Sequence, residues 1–185
     1  PTQKARQSGL LTPISQLSPG VALNTARSLK ASYADIRIAR YRTQSVNTRE
    51  KRVTNVSDSE SYGFGVRVIA NGTWGFAASQ NVTKDEIAKA TRSAVAIAKA
   101  NSKIQKEPLH LAPVGAVIAT WNTPIRINPL NISLSDKINL LLAINEEALK
   151  VKGVSFCTSG MGFVNENKFF ASTEGSFIDQ EIFRC

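Results

Sequence analysis

Between Tyr33 and Ser79, hydrophobic and polar residues follow one another in strand-like runs separated by very short breaks. GFGVRVIA and TWGFAAS flank Asn71-Gly72. This pattern predicts a β-hairpin closed by a two-residue type I′ turn, because both central positions of that turn need positive φ. The turn sets the register, so that Ala70 opposes Thr73, Ile69 opposes Trp74 and Arg67 opposes Phe76. Opposed residues share a face. Gly65, Arg67, Ile69, Trp74, Phe76 and Ala78 therefore line one side, and Phe64, Val66, Val68, Ala70, Thr73, Gly75 and Ala77 line the other. Both sides are largely apolar, so the hairpin either lies centrally in a sheet or receives a partner on one face.

Helical spacing replaces the strand pattern on both sides of this meander. Ser18-Pro19 reads as an N-cap followed by proline at the first helical position. Val21, Leu23, Ala26 and Leu29 then form a stripe reaching about Ala31. Thr83 to Glu86 reads as a capping box, with Thr83 as cap and Glu86 reaching back. It opens a helix whose apolar positions are Ile87, Ala90, Ala94, Ile97 and Ala98. Val114 to Trp121 reads as a short extended segment, and Asn122 to Asn131 as a proline-containing loop. Ser133 or Ser135 caps a further helix with Leu134, Ile138, Leu141, Leu142, Ala148 and Leu149 on its apolar face, and Gly153 is the expected C′ residue. Strand character returns from Val154 to Cys185, with breaks near Asn165–Asn167 and Thr173–Gly175.

A helix followed by an antiparallel meander thus occurs twice. Strands joined by hairpins, with helices set apart, predict an α+β fold. The expectation is two helix-plus-meander units packed as one domain, through an internal structural duplication. Residues 1–17 are polar, with scattered Gly and Pro, and read as a mobile arm. Residues 18–185 read as the domain, with sub-units of about 18–107 and 108–185.

The same stretch carries a resemblance. Tyr33-Ala34-Asp35-Ile36-Arg37 is followed by Arg52-Val53, by Gly63-Phe64-Gly65-Val66-Arg67-Val68 and by Gly72 to Ala78. The helix from Thr83 then follows. This order resembles the amino-terminal domain of the TldD/PmbA metallopeptidases, also called the modulator of DNA gyrase family. The resemblance covers about Tyr33 to Lys103 and is weaker from Pro108 onward. It implies a complete protein that hydrolyses peptide bonds in proteolysis or peptide processing. It also implies a homodimer, or a heterodimer with a family paralogue, whose amino-terminal domains enclose an unfolded peptide substrate.

One departure bears on that activity. Peptidases of the family carry a His-Glu-x-x-x-His zinc motif in a carboxy-terminal domain. This sequence has a single histidine, His110, and it is followed by Leu111. A zinc peptidase site needs about three protein ligands and an activated water. The expectation is therefore no catalytic residue, no metal ligand and no cofactor in this chain, with zinc held by a carboxy-terminal domain absent from it. Such a fragment is inactive by itself. The alternatives are a non-enzymatic interaction module, binding protein or nucleic acid, and an inactive paralogue subunit.

Arg67, Trp74 and Phe76 are the candidate substrate-binding residues. Arg67 could anchor a peptide carboxylate, or could be a structural cation–π or salt-bridge arginine. Trp74 and Phe76 could form a peptide-binding face, or could be core. Glycine within a strand marks close approach by another backbone, either a substrate added as an extra strand or a tightly packed helix. Asp35 and Glu60 read as isolated strand-edge carboxylates.

The formal net charge is +9. Arg37, Arg40, Arg42, Arg49, Lys51 and Arg52 lie close together in sequence, but alternation splits Arg37 from Arg40 and Arg42 across the sheet. No helix-turn-helix, zinc finger or RNA-recognition aromatic motif accompanies them, and nucleic acid is not the expected partner. Cys157 and Cys185 make no disulfide framework. No apolar run reaches the roughly 18 to 20 residues that cross a bilayer. The expected compartment is the cytoplasm, an exported form with its signal peptide removed being the alternative. The chain stops at Cys185 within a strand-like run, which predicts an exposed sheet edge there.

Overall fold

The computed structural model describes residues 19–185, so the arm expected over 1–17 and the Ser18 cap lie outside the described residues. The fold is α+β, with three helices and one mixed sheet. In chain order the elements are α1 (Pro19–Ser28), β1 (Tyr33–Arg49), β2 (Arg52–Ala70), β3 (Thr73–Ser79), α2 (Lys84–Asn101), β4 (Ile118–Asn122), α3 (Leu134–Leu149), β5 (Thr158–Ser172) and β6 (Phe177–Arg184). The six strands are ordered β3-β2-β1-β5-β6-β4. Two compact units divide the chain, and β1, β2 and β5 each contribute to both.

The first unit contains the chain up to Ile38, Gly63–Ile118 and Phe169–Phe177. Its hairpin has the expected register, with Ala70 opposite Thr73, Ile69 opposite Trp74 and Arg67 opposite Phe76. Asn71 and Gly72 take φ of 53° and 74°, as a type I′ turn requires. β3 is an edge strand, so the apolar character of both hairpin faces is explained by a partner. Helix α2 packs against β3 and α1. It buries Ile87, Ala90, Thr91, Ala94, Val95 and Ala98, while β1 and β2 bury Ile36, Ile38, Val66 and Val68. Each buried isoleucine or valine side chain contributes about 1.5–3 kcal/mol by leaving water.

The closest contact in this packing runs through Gly75. A Cβ there would lie 1.9 Å from the Ala94 carbonyl oxygen, and Thr73 Oγ1 donates to the Ala98 carbonyl. The backbone approaching Gly75 is therefore that of α2. Two details differ from expectation. Ile97 is exposed, because Thr91 and Val95 turn inward in its place. Thr83 caps α2 by accepting from the Glu86 N–H, but its own N–H goes to the Asn81 carbonyl, and the Glu86 side chain pairs with Lys89.

The second unit contains Ala39–Tyr62, Ala119–Lys168 and Ile178–Cys185. Ser133 Oγ caps α3 by accepting from the Asp136 N–H at 3.0 Å. Lys137, Leu141 and Asn145 form the buried row of α3, whereas Leu134, Leu140 and Ile144 are exposed. Of the expected apolar face, Leu141 is buried, Ile138, Leu142, Ala148 and Leu149 are half-buried and Leu134 is exposed, while Lys137 and Asn145 join the buried row because they satisfy polar groups of β1 described below. Lys150 is the C-cap of α3, so Gly153 is not the C′ residue; its φ of 94° belongs to the turn beyond. β5 runs unbroken through Asn165–Asn167, and the chain breaks only before Phe177. β6 lies between β5 and β4, so the run ending near Cys185 is not a sheet edge.

Candidate functional site

The first unit gathers charge and aromatic rings on one face of its strands. Alternation along β1 places Tyr33, Asp35 and Arg37 on one side, and the hairpin register adds Arg67 from β2 and Trp74 and Phe76 from β3. Asp35 is the centre of the group and has no exposed surface. Its Oδ2 accepts from Arg67 Nη2 at 2.7 Å, Arg67 Nε at 3.0 Å and the Tyr33 hydroxyl at 2.9 Å. Arg37 Nε lies 3.8 Å from Oδ1, and the Arg37 guanidinium sits over the Phe170 ring.

The other side of the Arg67 guanidinium faces Trp74, with Cζ 5.3 Å from the ring centroid. Tyr33 meets the same indole edge-on, at 5.8 Å between centroids and 87° between planes. Trp74 is therefore held by a cation on its face and by a neighbouring ring. Arg67 side-chain exposure is 37%, so part of the guanidinium still meets water. Phe76 is 56% exposed and lies against Gly65, where a Cβ would approach its ring to 2.9 Å.

Burial, reinforced by the Asp35 charge and hydrogen bond, pushes the Tyr33 phenol up from 10.0 to about 12. The hydrogen bond to Asp35 raises Arg67 above the ordinary arginine value. Tyr33 is thus a neutral donor and Arg67 a permanent cation. Asp35 is enclosed by its donors, so no free base faces a bound molecule here. The cluster suits positioning and binding rather than proton transfer.

The structure brings Arg67, Trp74 and Phe76 together on one face. It corrects the reading of Asp35, which is the fully buried partner of Arg67 and not an isolated strand-edge carboxylate. Glu60 is likewise paired, with Arg40 at 2.7 Å. Arg37, Arg40, Arg42 and Arg49 each reach a carboxylate within 4.0 Å, so the arginine run is largely neutralised locally.

The second unit holds a polar cluster that sequence reasoning missed. Lys137 is buried on α3, donates to Gln44 Oε1, and lies over the Phe163 ring at 4.8 Å. Gln44 Nε2 donates to Asp58 Oδ2 at 3.0 Å, and Arg42 grips Asp58 with two bonds of 3.2 and 3.0 Å. Burial pulls Lys137 below the ordinary lysine value, and the Arg42 hydrogen bond draws Asp58 below the usual carboxylate range. Asn145, with no exposed surface, donates to Thr48 Oγ1 and the Glu50 carbonyl and accepts from Cys157 Sγ.

His110 is exposed, and its neighbour Leu109 donates its N–H to the Gly72 carbonyl at 2.8 Å. Among the described residues, no three His, Cys, Asp or Glu side chains converge as metal ligands, so the donor set on these residues does not fit a zinc centre. No helix among them is long and apolar enough to cross a membrane.

The family model for PmbA/TldA metallopeptidase domain 1 matches residues 34–98. A metalloprotease of Methanocaldococcus jannaschii is 28% identical over 155 residues, which cover 83% of this chain and 34% of that protein. A zinc metalloprotease TldD homolog of Saccharolobus solfataricus is 40% identical over 65 residues, 35% of this chain and 14% of that one. TldE from Thermococcus kodakarensis has the same fold, with a TM-score of 0.65 at 15% identity over 85% of this chain and 36% of that chain. A candidate modulator of DNA gyrase from Bacteroides thetaiotaomicron has a TM-score of 0.69 at 13% identity, over 91% and 38%. The chain spans about a third of the length of the Methanocaldococcus relative. The domain-1 match lies over the strands and helix that build this site, so it is with the first domain of the PmbA/TldD metallopeptidases that this chain shares its similarity.

Proposed function

We propose that this chain is the substrate-enclosing amino-terminal part of a larger zinc metallopeptidase. It guides an extended, unfolded peptide and hydrolyses nothing by itself. The zinc is held by carboxy-terminal sequence of the kind that makes up the rest of its metalloprotease relatives. The working assembly is a homodimer, or a heterodimer with a family paralogue.

The observation that carries this reading is the division of labour on the Arg67 face. Asp35 and Tyr33 immobilise Arg67 and Trp74 from behind, while Phe76 and part of the guanidinium stay accessible. A rigid aromatic surface beside a cation binds backbone and side chains of many peptides without reading much sequence. Catalysis would need a free base or an open metal position, and the face offers a carboxylate already enclosed by donors.

Peptide binding to the 185-residue chain tests the reading. Trp74 fluorescence is followed in a Trp121→Phe background, with unstructured peptides carrying an acidic side chain. Phe76→Ala is expected to weaken binding by about tenfold, as loss of an aromatic contact does. Unchanged affinity in Phe76→Ala and Arg67→Met would overturn the assignment of this face. One tightly held zinc per chain, or peptidase activity surviving repurification, would overturn the placement of chemistry elsewhere.

A further inference from the structure

The outer edge of β2 carries a second, different surface. All seven residues of β3 pair with Phe64–Ala70, and the only other neighbour of β2 is β1. From Arg52 to Ser61 the outer edge of β2 therefore has no strand beside it among the described residues. All ten side chains of this segment are exposed, whichever way they point. Edge strands are ordinarily blunted by proline, lysine, a bulge or shortness. This segment reads RVTNVSDSES and has neither proline nor lysine.

We infer that this edge pairs antiparallel with the same edge of a second copy, about a two-fold axis at Val56. The argument is self-complementarity. With Val56 opposite Val56 of the second copy, Arg52 falls opposite Glu60, Thr54 opposite Asp58, Val53 opposite Ser59 and Asn55 opposite Ser57. Each of these pairs occurs twice because of the axis. Alternation places Arg52, Val56, Asp58 and Glu60 on one face. There Asp58 and Glu60 already accept from Arg42 and Arg40 of β1. The second copy's Arg52 extends this row, so that basic, acidic and basic side chains succeed one another across three strands. A carboxylate has acceptor sites for both arginines. Sliding the register by two residues in one direction sets Val56 against Asp58; in the other it sets Arg52 against Asp58, which Arg42 already grips with two bonds, and leaves Glu60 beyond the end of the paired segment, opposite the β1–β2 turn. Opposite charges directly across a ladder stabilise it and like charges destabilise it.

The inference specifies the homodimer proposed above, but it stands on the strand edge alone. Loss of peptide binding in an intact dimer counts against the Arg67 face and leaves the edge pairing untouched.

Sedimentation equilibrium on the 185-residue chain tests it. The chain is expected to dimerise. Arg52→Glu and Glu60→Arg each turn both symmetric pairs repulsive, and each is expected to raise the dimer Kd by about tenfold or more. Mixed one to one, the two variants regain dimer, because positions 52 and 60 of the two copies then carry opposite charges at both places. In a Cys185→Ser background, Val56→Cys is expected to oxidise to a disulfide between position 56 of the two copies, read by peptide mapping. This cross-link needs no charge change and so covers the case in which a charge variant folds poorly. Three outcomes overturn the inference: a chain that stays monomeric, with the edge covered by residues 1–18 or by a peptide strand; a dimer indifferent to both charge variants; and a mixture no better paired than its components.

Discussion

Arg67 grips a carboxylate that has no exposed surface: Nη2 and Nε lie 2.7 and 3.0 Å from Oδ2 of Asp35 on the neighbouring strand. The two partners are unequally buried, and this makes the pair asymmetric. Removing the cation strands a buried charge, whereas removing the carboxylate frees an arginine that can turn to water.

Arg67→Met is expected to destabilise the fold by about 2–4 kcal/mol, near the lower range for breaking a buried pair. Tyr33 and, at 3.8 Å, Arg37 remain beside Asp35 to soften the loss. Asp35→Asn is expected to cost less, about 1–2 kcal/mol, because the freed guanidinium is partly solvated. Urea unfolding of both variants measures the order, and a larger loss in Asp35→Asn would contradict carboxylate burial as the dominant effect.

Gly75 tests the contact between α2 and β3. An added Cβ meets backbone, with the Ala94 oxygen at 1.9 Å and the Ala98 nitrogen at 2.7 Å, and no side chain there can swing aside. Gly75→Ala is expected to cost about 1–3 kcal/mol through overpacking. Gly162→Ala is the control, since nothing lies within 4 Å of its Cβ position; its stability should stay within about 0.5 kcal/mol of the parent. Equal thermal midpoints for the two variants would mean that α2 yields without cost.

Tyr33 sets an alkaline limit on stability. Burial, then Asp35, raise its folded value from 10.0 to about 12. The native state therefore holds this proton where the unfolded chain has begun to release it. The contribution is fully present below pH 10 and is lost as pH rises toward 12. Tyr33→Phe should remove that part of the slope, so that the stability difference between parent and variant narrows over the window. Tyrosinate absorbance should show one phenol fewer ionising near pH 12 in the variant. A parent spectrum in which every phenol ionises near pH 10 would contradict the assignment.

The hairpin, its turn and its register were legible because they depend on near neighbours. Asn71-Gly72 selects its turn by backbone sterics, and alternation then assigns every residue from Phe64 to Ser79 to a face. The caps at Thr83 and Ser133 belong to the same category, since a side-chain oxygen reaches an N–H three residues on. Arg67, Trp74 and Phe76 could be grouped for this reason. What Arg67 binds could not be read from the hairpin, because Asp35 lies 32 residues away.

The sequence by itself determined the order of elements, the α+β class and the hairpin register, which rest on local sterics and period, and its motif residues carried the resemblance to a metallopeptidase domain. Only the tertiary structure decided which faces are covered. It turned Lys137 and Asn145 of α3 inward, where Gln44, Thr48 and the Glu50 carbonyl supply their hydrogen-bond partners. It placed β6 between β5 and β4, and it left β2 from Arg52 to Ser61 without a strand on its outer side. The physical reason is common to these cases. A buried polar group is tolerated only where distant segments satisfy it, and a strand is an edge or a centre only by virtue of what lies beside it.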